Sequence, residues 1–126
     1  MRSFKLFLFA LLVGVLGGSV FHVSQPKADT LQWHVKSIYP YRVQIEFYSE
    51  DGKLAWPGHG EAFGLNDNRT HRFSLECTTG QNICYGAWVT GNSHKYWGVG
   101  LHNHQSCAKC CAVCGKGDTP RVVLEE

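Results

Sequence analysis

No window of the 126-residue sequence carries the three-and-four spacing of apolar side chains that an amphipathic helix requires. That absence argues against an α-helical or α/β architecture. Gly-x-Ser-x-Gly and His-Glu-x-x-His are both missing, and no paired carboxylates stand out, so the common hydrolase and metalloprotease signatures are not there. Charged residues make up only 17% of the chain and never form a run of one sign. The formal charge is +2, but Arg2, Lys5 and Lys27 belong to an N-terminal stretch expected to be removed, which leaves the rest near neutral. Nucleic acid demands a basic patch against its phosphates, so no nucleic-acid partner is expected. The longest apolar run, Leu6 to Phe21, falls short of the roughly 20 residues a bilayer-spanning helix needs.

The N-terminus has a definite order instead. Arg2 and Lys5 form a basic head, Leu6 to Val15 (LFLFALLVGV) an uncharged apolar run, and Gly17, Gly18 and Ser19 a small-residue end. This is the grammar of a secretory signal peptide. Residues 1–19 are expected to be a cleaved leader, with a second candidate site after Ala28. The alternative is an uncleaved anchor, which would be the only membrane contact. Residues 20–30 read as a flexible spacer and residues 31–126 as one domain.

Six cysteines, Cys77, Cys84, Cys107, Cys110, Cys111 and Cys114, all follow the leader. An even count in a short exported chain reads as a disulfide framework. A leader and a set of oxidisable thiols are independent features that point to the same compartment: outside the cytosol, in a periplasm or beyond the cell. Cys77 and Cys84 flank a short turn between two predicted strands, so a bond across that hairpin is one expectation. It would place Trp88 on the same face as Phe73 and Leu75, in the core; without it Trp88 is free to point outward. In Cys107-x-x-Cys110-Cys111-x-x-Cys114, the adjacent pair is too strained to bond to itself, which leaves a compact knot or a tie to the Cys77/Cys84 region.

Beyond the spacer the dominant period is two. Leu31, Trp33 and Val35 alternate with polar residues, and so do Tyr41, Val43, Ile45 and Phe47, with Arg42, Gln44 and Glu46 facing the other way. Such alternation predicts half-buried strands. Asp51-Gly52 marks a tight turn, and a short piece around Leu54 to Trp56 follows. The next strand has His71, Phe73, Leu75 and Cys77 inward, and Ile83 to Thr90, His94 to Leu101 and Val122 to Leu124 supply three more. The stretch from 102 to 119 has no period and is expected to be an irregular cysteine-bound loop. Turn signals about every ten residues predict an all-β domain, a small antiparallel sandwich or barrel stabilised by disulfides.

The chemistry on this scaffold is thinner. Trp88, Tyr96 and Trp97 crowd one strand pair near His102 and His104, which makes these five residues the expected ligand-binding region, with core packing of the aromatics as the bland alternative. No cofactor and no metal are expected on the leading reading. The second reading is an extracytoplasmic zinc or copper protein using Cys107, Cys110, Cys111 and Cys114 with His102 and His104, since Cys-x-x-Cys is a chelating spacing. The third and weakest is an extracytoplasmic hydrolase or redox enzyme. Lone His59 in its glycine turn would be a poor base, and Gly115-Lys116-Gly117-Asp118-Thr119 lacks the setting of a phosphate loop. The leading expectation is a non-enzymatic exported module that binds a protein, glycan or envelope partner, or acts structurally.

Overall fold

A computed structural model describes residues 17–20 and 27–126. The expected leader, apart from Gly17 to Ser19, and residues 21–26 of the expected spacer lie outside the described residues. Within them are β1 (Ala28–Ser37), β2 (Val43–Ser49), β3 (Ala55–Trp56), β4 (Phe63–Leu65), β5 (Thr70–Thr78), β6 (Asn82–Val89), β7 (Asn92–Gly98), β8 (Cys111–Val113) and β9 (Arg121–Leu124), with one 3-10 turn at Leu101–Asn103. The strands form two sheets, β5-β1-β9 and β3-β2-β6-β7; β4 also pairs with β2, and β8 with β6. The sheets do not close into a barrel. The all-β expectation holds, with one departure from antiparallel order: β9 runs parallel to β1.

The inner faces follow from the period of two. Leu31, Trp33 and Val35 on β1 stand opposite Leu75, Phe73 and His71 on β5. From the second sheet, Val43, Ile45, Phe47, Ile83 and Ala87 point toward them and are fully buried. Aromatic rings fill the middle. Phe47 lies 5.4 Å from both Trp33 and Phe73, centroid to centroid, and Phe63 lies 4.7 Å from Phe73. Tilted contacts of this kind suit the quadrupoles of the rings. The Trp56 indole donates to the Glu76 carbonyl, tying β3 to β5 across the two sheets.

All six cysteines are paired, as Cys77–Cys114, Cys84–Cys111 and Cys107–Cys110. The expected Cys77–Cys84 bond across a hairpin is therefore wrong, and the reason is topological. The turn after Thr78 carries the chain from one sheet to the other, so β5 and β6 are not partners. Cys77 points into the shared core, whereas Cys84 points to the outer face of the second sheet. Cys114 reaches the crossover instead: its carbonyl accepts from Gly80 N–H and its own N–H donates to the Gln81 carbonyl. Cys84 and Cys111 are direct cross-strand partners on β6 and β8. The tie between the C-terminal cysteines and the Cys77/Cys84 region is thus the correct one of the two expected arrangements, joined by a short internal bridge.

Smaller departures have local causes. Tyr41 precedes β2 and is 65% exposed rather than inward. β1 begins at Ala28 and so takes up the last three residues of the expected spacer. The stretch from 102 to 119 is not wholly irregular, because β8 forms inside it where Cys111 pairs with β6.

Candidate functional site

The outer face of the second sheet carries the polar chemistry. Its side chains come from the even positions of β2 and β6, namely Gln44, Glu46 and Tyr48 beside Trp88, Gly86 and Cys84. The residues from Val99 to Cys110 fold back over this face. Their approach depends on Gly86: a Cβ there would collide with the Gly100 carbonyl and sit 3.0 Å from the Tyr48 ring. Gly98 has the same role one strand away, where a Cβ would strike the Tyr85 carbonyl. Val99, Tyr48 and Cys84 then form a small second core, with Cys107 and Cys111 packed against it.

Under this cover lies Glu46, only 2% exposed. It faces a gap in the sheet, because β3 pairs with Phe47 and Tyr48 and β4 with Val43 to Ile45, leaving Glu46 opposite the loop of residues 57–62. Tyr48 Oη donates to Glu46 Oε2 at 2.9 Å and accepts from His102 N–H at 3.0 Å. Burial raises the Glu46 carboxyl above its ordinary range; the Tyr48 hydrogen bond and the nearby His102 and His59 work against that shift. Burial, and next the bond to Glu46, also push the Tyr48 phenol upward. Burial disfavours a charge that has lost its water, while a donated hydrogen bond favours it. The relay from loop backbone to phenol to carboxylate therefore ties the middle of the covering loop to the sheet. The ends of the loop are held by Val99 N–H on the Tyr85 carbonyl and Tyr85 N–H on the Cys110 carbonyl.

The loop itself is held in an uncommon conformation. His102 and Asn103 both have positive φ, 56° and 59°. Residues with side chains populate this region at a cost, and such positions persist only where the surroundings hold them. Here the Tyr48 hydroxyl takes the His102 amide, Gly100 N–H donates to the Trp97 carbonyl, and Gln105 N–H donates to the Val99 carbonyl. The His102 and His104 rings end up exposed, 5.7 Å apart.

Beside the loop, the outer face of β7 opens a cleft of about 250 Å³ lined by Ser93, His94, Tyr96, Leu101, His104 and Gln105. Tyr96 is 41% exposed, with one part of its ring against the backbone of Gly100. The five expected binding residues are thus divided. Tyr96 and His104 line the cleft, and His102 sits at its margin over Tyr48. Trp88 shares the outer face but is buried beside Tyr96. Trp97 lies on the opposite face of β7: its ring is 5.2 Å from Tyr39, Lys95 lies over it at 5.3 Å, and its indole donates to the Glu125 carbonyl. Strand parity decides this, since Tyr96 and Trp97 are neighbours and must point apart.

Trp88 fits neither expectation made for it. It points away from the core between the sheets and is still covered. Cys107, Cys110, Cys111 and Cys114, the cysteine ligands of the metal reading, are all paired in disulfides and offer no thiolates. Among the described residues, no three His, Cys, Asp or Glu side chains are placed to hold an ion. Sequence reasoning does not single out Glu46, Tyr48 or Gln105 as site residues, and it places His94 only near the aromatic cluster. Glu46 looked like a solvated outward residue; the available signal was the unbroken Ile45-Glu46-Phe47-Tyr48, which leaves little room for water on either face. No protein-family model matches the chain, and no curated protein or solved structure matches it.

Proposed function

We propose that the protein is an exported, non-enzymatic binding module whose contact site is the cleft between β7 and the Val99–Cys110 loop, and that its ligand is a saccharide. The observation that carries this reading is Tyr96. Its ring is partly exposed in a concave site ringed by His94, His104, Gln105 and Ser93, all polar hydrogen-bonding groups. One face of a sugar ring is a patch of C–H groups that packs on the electron-rich face of an aromatic side chain. The hydroxyls around its rim need the kind of donors and acceptors that fixed clefts supply in small number. Three disulfides point to an oxidising environment outside the cytosol, and the basic, apolar and small-residue order of the N-terminus supports export through a secretory route. Among the described residues, no helix is long and apolar enough to cross a membrane. The non-enzymatic reading is supported by Glu46, whose carboxyl is shifted upward by burial but is sealed from solvent rather than presented in the cleft.

Binding of the oxidised protein and of Tyr96→Ala to an array of immobilised glycans tests this. The reading expects retention on a defined subset of glycans by the parent and loss of it in Tyr96→Ala, with thermal stability nearly unchanged. Retention by neither protein, or equal retention by both, overturns it.

A further inference from the structure

The three disulfides differ in what holds their sulfur atoms together. Cys77 is on β5 and Cys114 is fixed by two backbone hydrogen bonds at the crossover; both side chains are buried. Cys84 is buried and Cys111 half-buried, but both are held by the main-chain ladder of β6 and β8, in which they face each other. Cys107 has no such support. It is half-buried, its neighbours Ser106 and Ala108 are exposed, and beyond the local turn at Ala108 and Lys109 no main-chain hydrogen bond ties residues 106–109 to either sheet. Cys110, by contrast, stays anchored to β6, since its carbonyl accepts from Tyr85 N–H. Only three residue steps separate Cys107 from Cys110.

We propose that Cys107–Cys110 is a site of thiol–disulfide exchange, opened by an external dithiol before either of the other bridges, and that its opening loosens the loop that walls the cleft. Exchange needs a thiolate to reach one sulfur of the bond, so the half-buried cysteine whose main chain is not tied to a sheet is the one attacked. One thiolate of the dithiol bonds to Cys107 Sγ, the Cys107–Cys110 bond breaks, and the electron pair leaves on Cys110 Sγ, which takes up a proton. The second thiol of the reagent attacks its own mixed-disulfide sulfur, closing a cyclic disulfide and releasing Cys107 as a thiol. The protein bridge gains two electrons and two protons, and the dithiol is oxidised. Cys110 remains on β6 while Cys107 is released, so the tether at the far end of the segment that contributes Leu101, His104 and Gln105 to the cleft is lost. The site goes beyond the binding reading, because a dithiol acts on it whatever the cleft holds.

Stepwise reduction of the oxidised full-length protein with dithiothreitol, followed by acid quench, alkylation and peptide mapping, tests the order. A species alkylated at Cys107 and Cys110 alone is expected first. Hydrogen exchange on that species should be about tenfold faster at the His104 and Gln105 amides and unchanged in β1, β2, β5 and β6, as expected for a locally opened segment. Cys107→Ser/Cys110→Ser should reproduce the same exchange pattern without any reductant. First labelling at Cys84 and Cys111 or at Cys77 and Cys114, or simultaneous loss of all three bridges, overturns the order. Selective labelling with unchanged exchange at His104 and Gln105, in the reduced species or in the double variant, overturns the latch.

Discussion

Replacing both Cys77 and Cys114 by alanine removes the only disulfide that joins the two sheets. It closes a loop spanning a sequence separation of 37, for which the chain-entropy relation gives about 4 kcal/mol. The same relation gives about 3.6 kcal/mol for Cys84–Cys111, separation 27, and about 2 kcal/mol for Cys107–Cys110, separation 3. The first bridge is also the one whose sulfur atoms lie in the main core, Cys77 at 8% and Cys114 at 0% exposure. Truncation there leaves a gap that close-packed neighbours fill only in part, which adds to the loss. For a domain of about a hundred residues, each kcal/mol is worth roughly 4–8 °C in melting temperature. Cys77→Ala/Cys114→Ala should therefore melt at least about 15 °C below the parent, and Cys107→Ala/Cys110→Ala at most about 15 °C below it. Thermal unfolding followed by near-ultraviolet circular dichroism, which reports the buried tryptophans, is a direct assay. The reasoning is refuted if the two double variants lose the same stability, or if the Cys107/Cys110 variant loses more.

Four further outcomes follow from the second sheet and the loop that covers it. Tyr48→Phe leaves the Glu46 carboxylate and the His102 amide without their shared partner and should cost about 2 kcal/mol in denaturant unfolding. Gly86→Ala forces a methyl group against the Gly100 carbonyl and the Tyr48 ring, so it should destabilise by about 1–3 kcal/mol and displace the loop. Trp97→Ala should cost about 2 kcal/mol by losing contacts with Tyr39 and the Glu125 carbonyl, whereas Tyr96→Ala should cost less than about 1 kcal/mol. The fourth concerns pH. Burial raises the folded-state pKa of Glu46 above its unfolded value, so the stability linked to its protonation is complete below the ordinary value of 4.5 and is lost as pH rises through the raised value. Glu46→Gln should accordingly gain stability over the parent on going from below pH 4.5 to neutrality, and melting curves at both ends check the sign.

Much of the scaffold was legible because a two-residue period is a direct record of which side of a strand meets the core. The inward set of β5 and the buried Leu31, Trp33 and Val35 of β1 follow from it without further information. What the period does not record is which sheet a strand joins. Cys77 and Cys84 look like hairpin partners in one dimension, and only the crossover at Thr78 to Gln81 separates them. Nor does a period of two reveal that both faces of a strand are covered. Glu46 reads as part of an outward polar face until the Val99–Cys110 loop is seen folded over it. The candidate site was half legible for the same reason: Tyr96, His102 and His104 lie close in sequence and in space, while parity sends Trp97 to the far side of β7. Short strands such as β4 and β8 escaped because three residues carry too little pattern, and their pairing is set by the longer strands they join.

Peptide mapping of the oxidised protein, digested without reductant under mildly acidic conditions that prevent exchange, tests the account most directly. It should return Cys77 linked to Cys114, Cys84 to Cys111 and Cys107 to Cys110, with no alkylatable thiol. A Cys77–Cys84 peptide, or free thiols in the purified protein, would contradict the two-sheet scaffold and everything placed on its outer face.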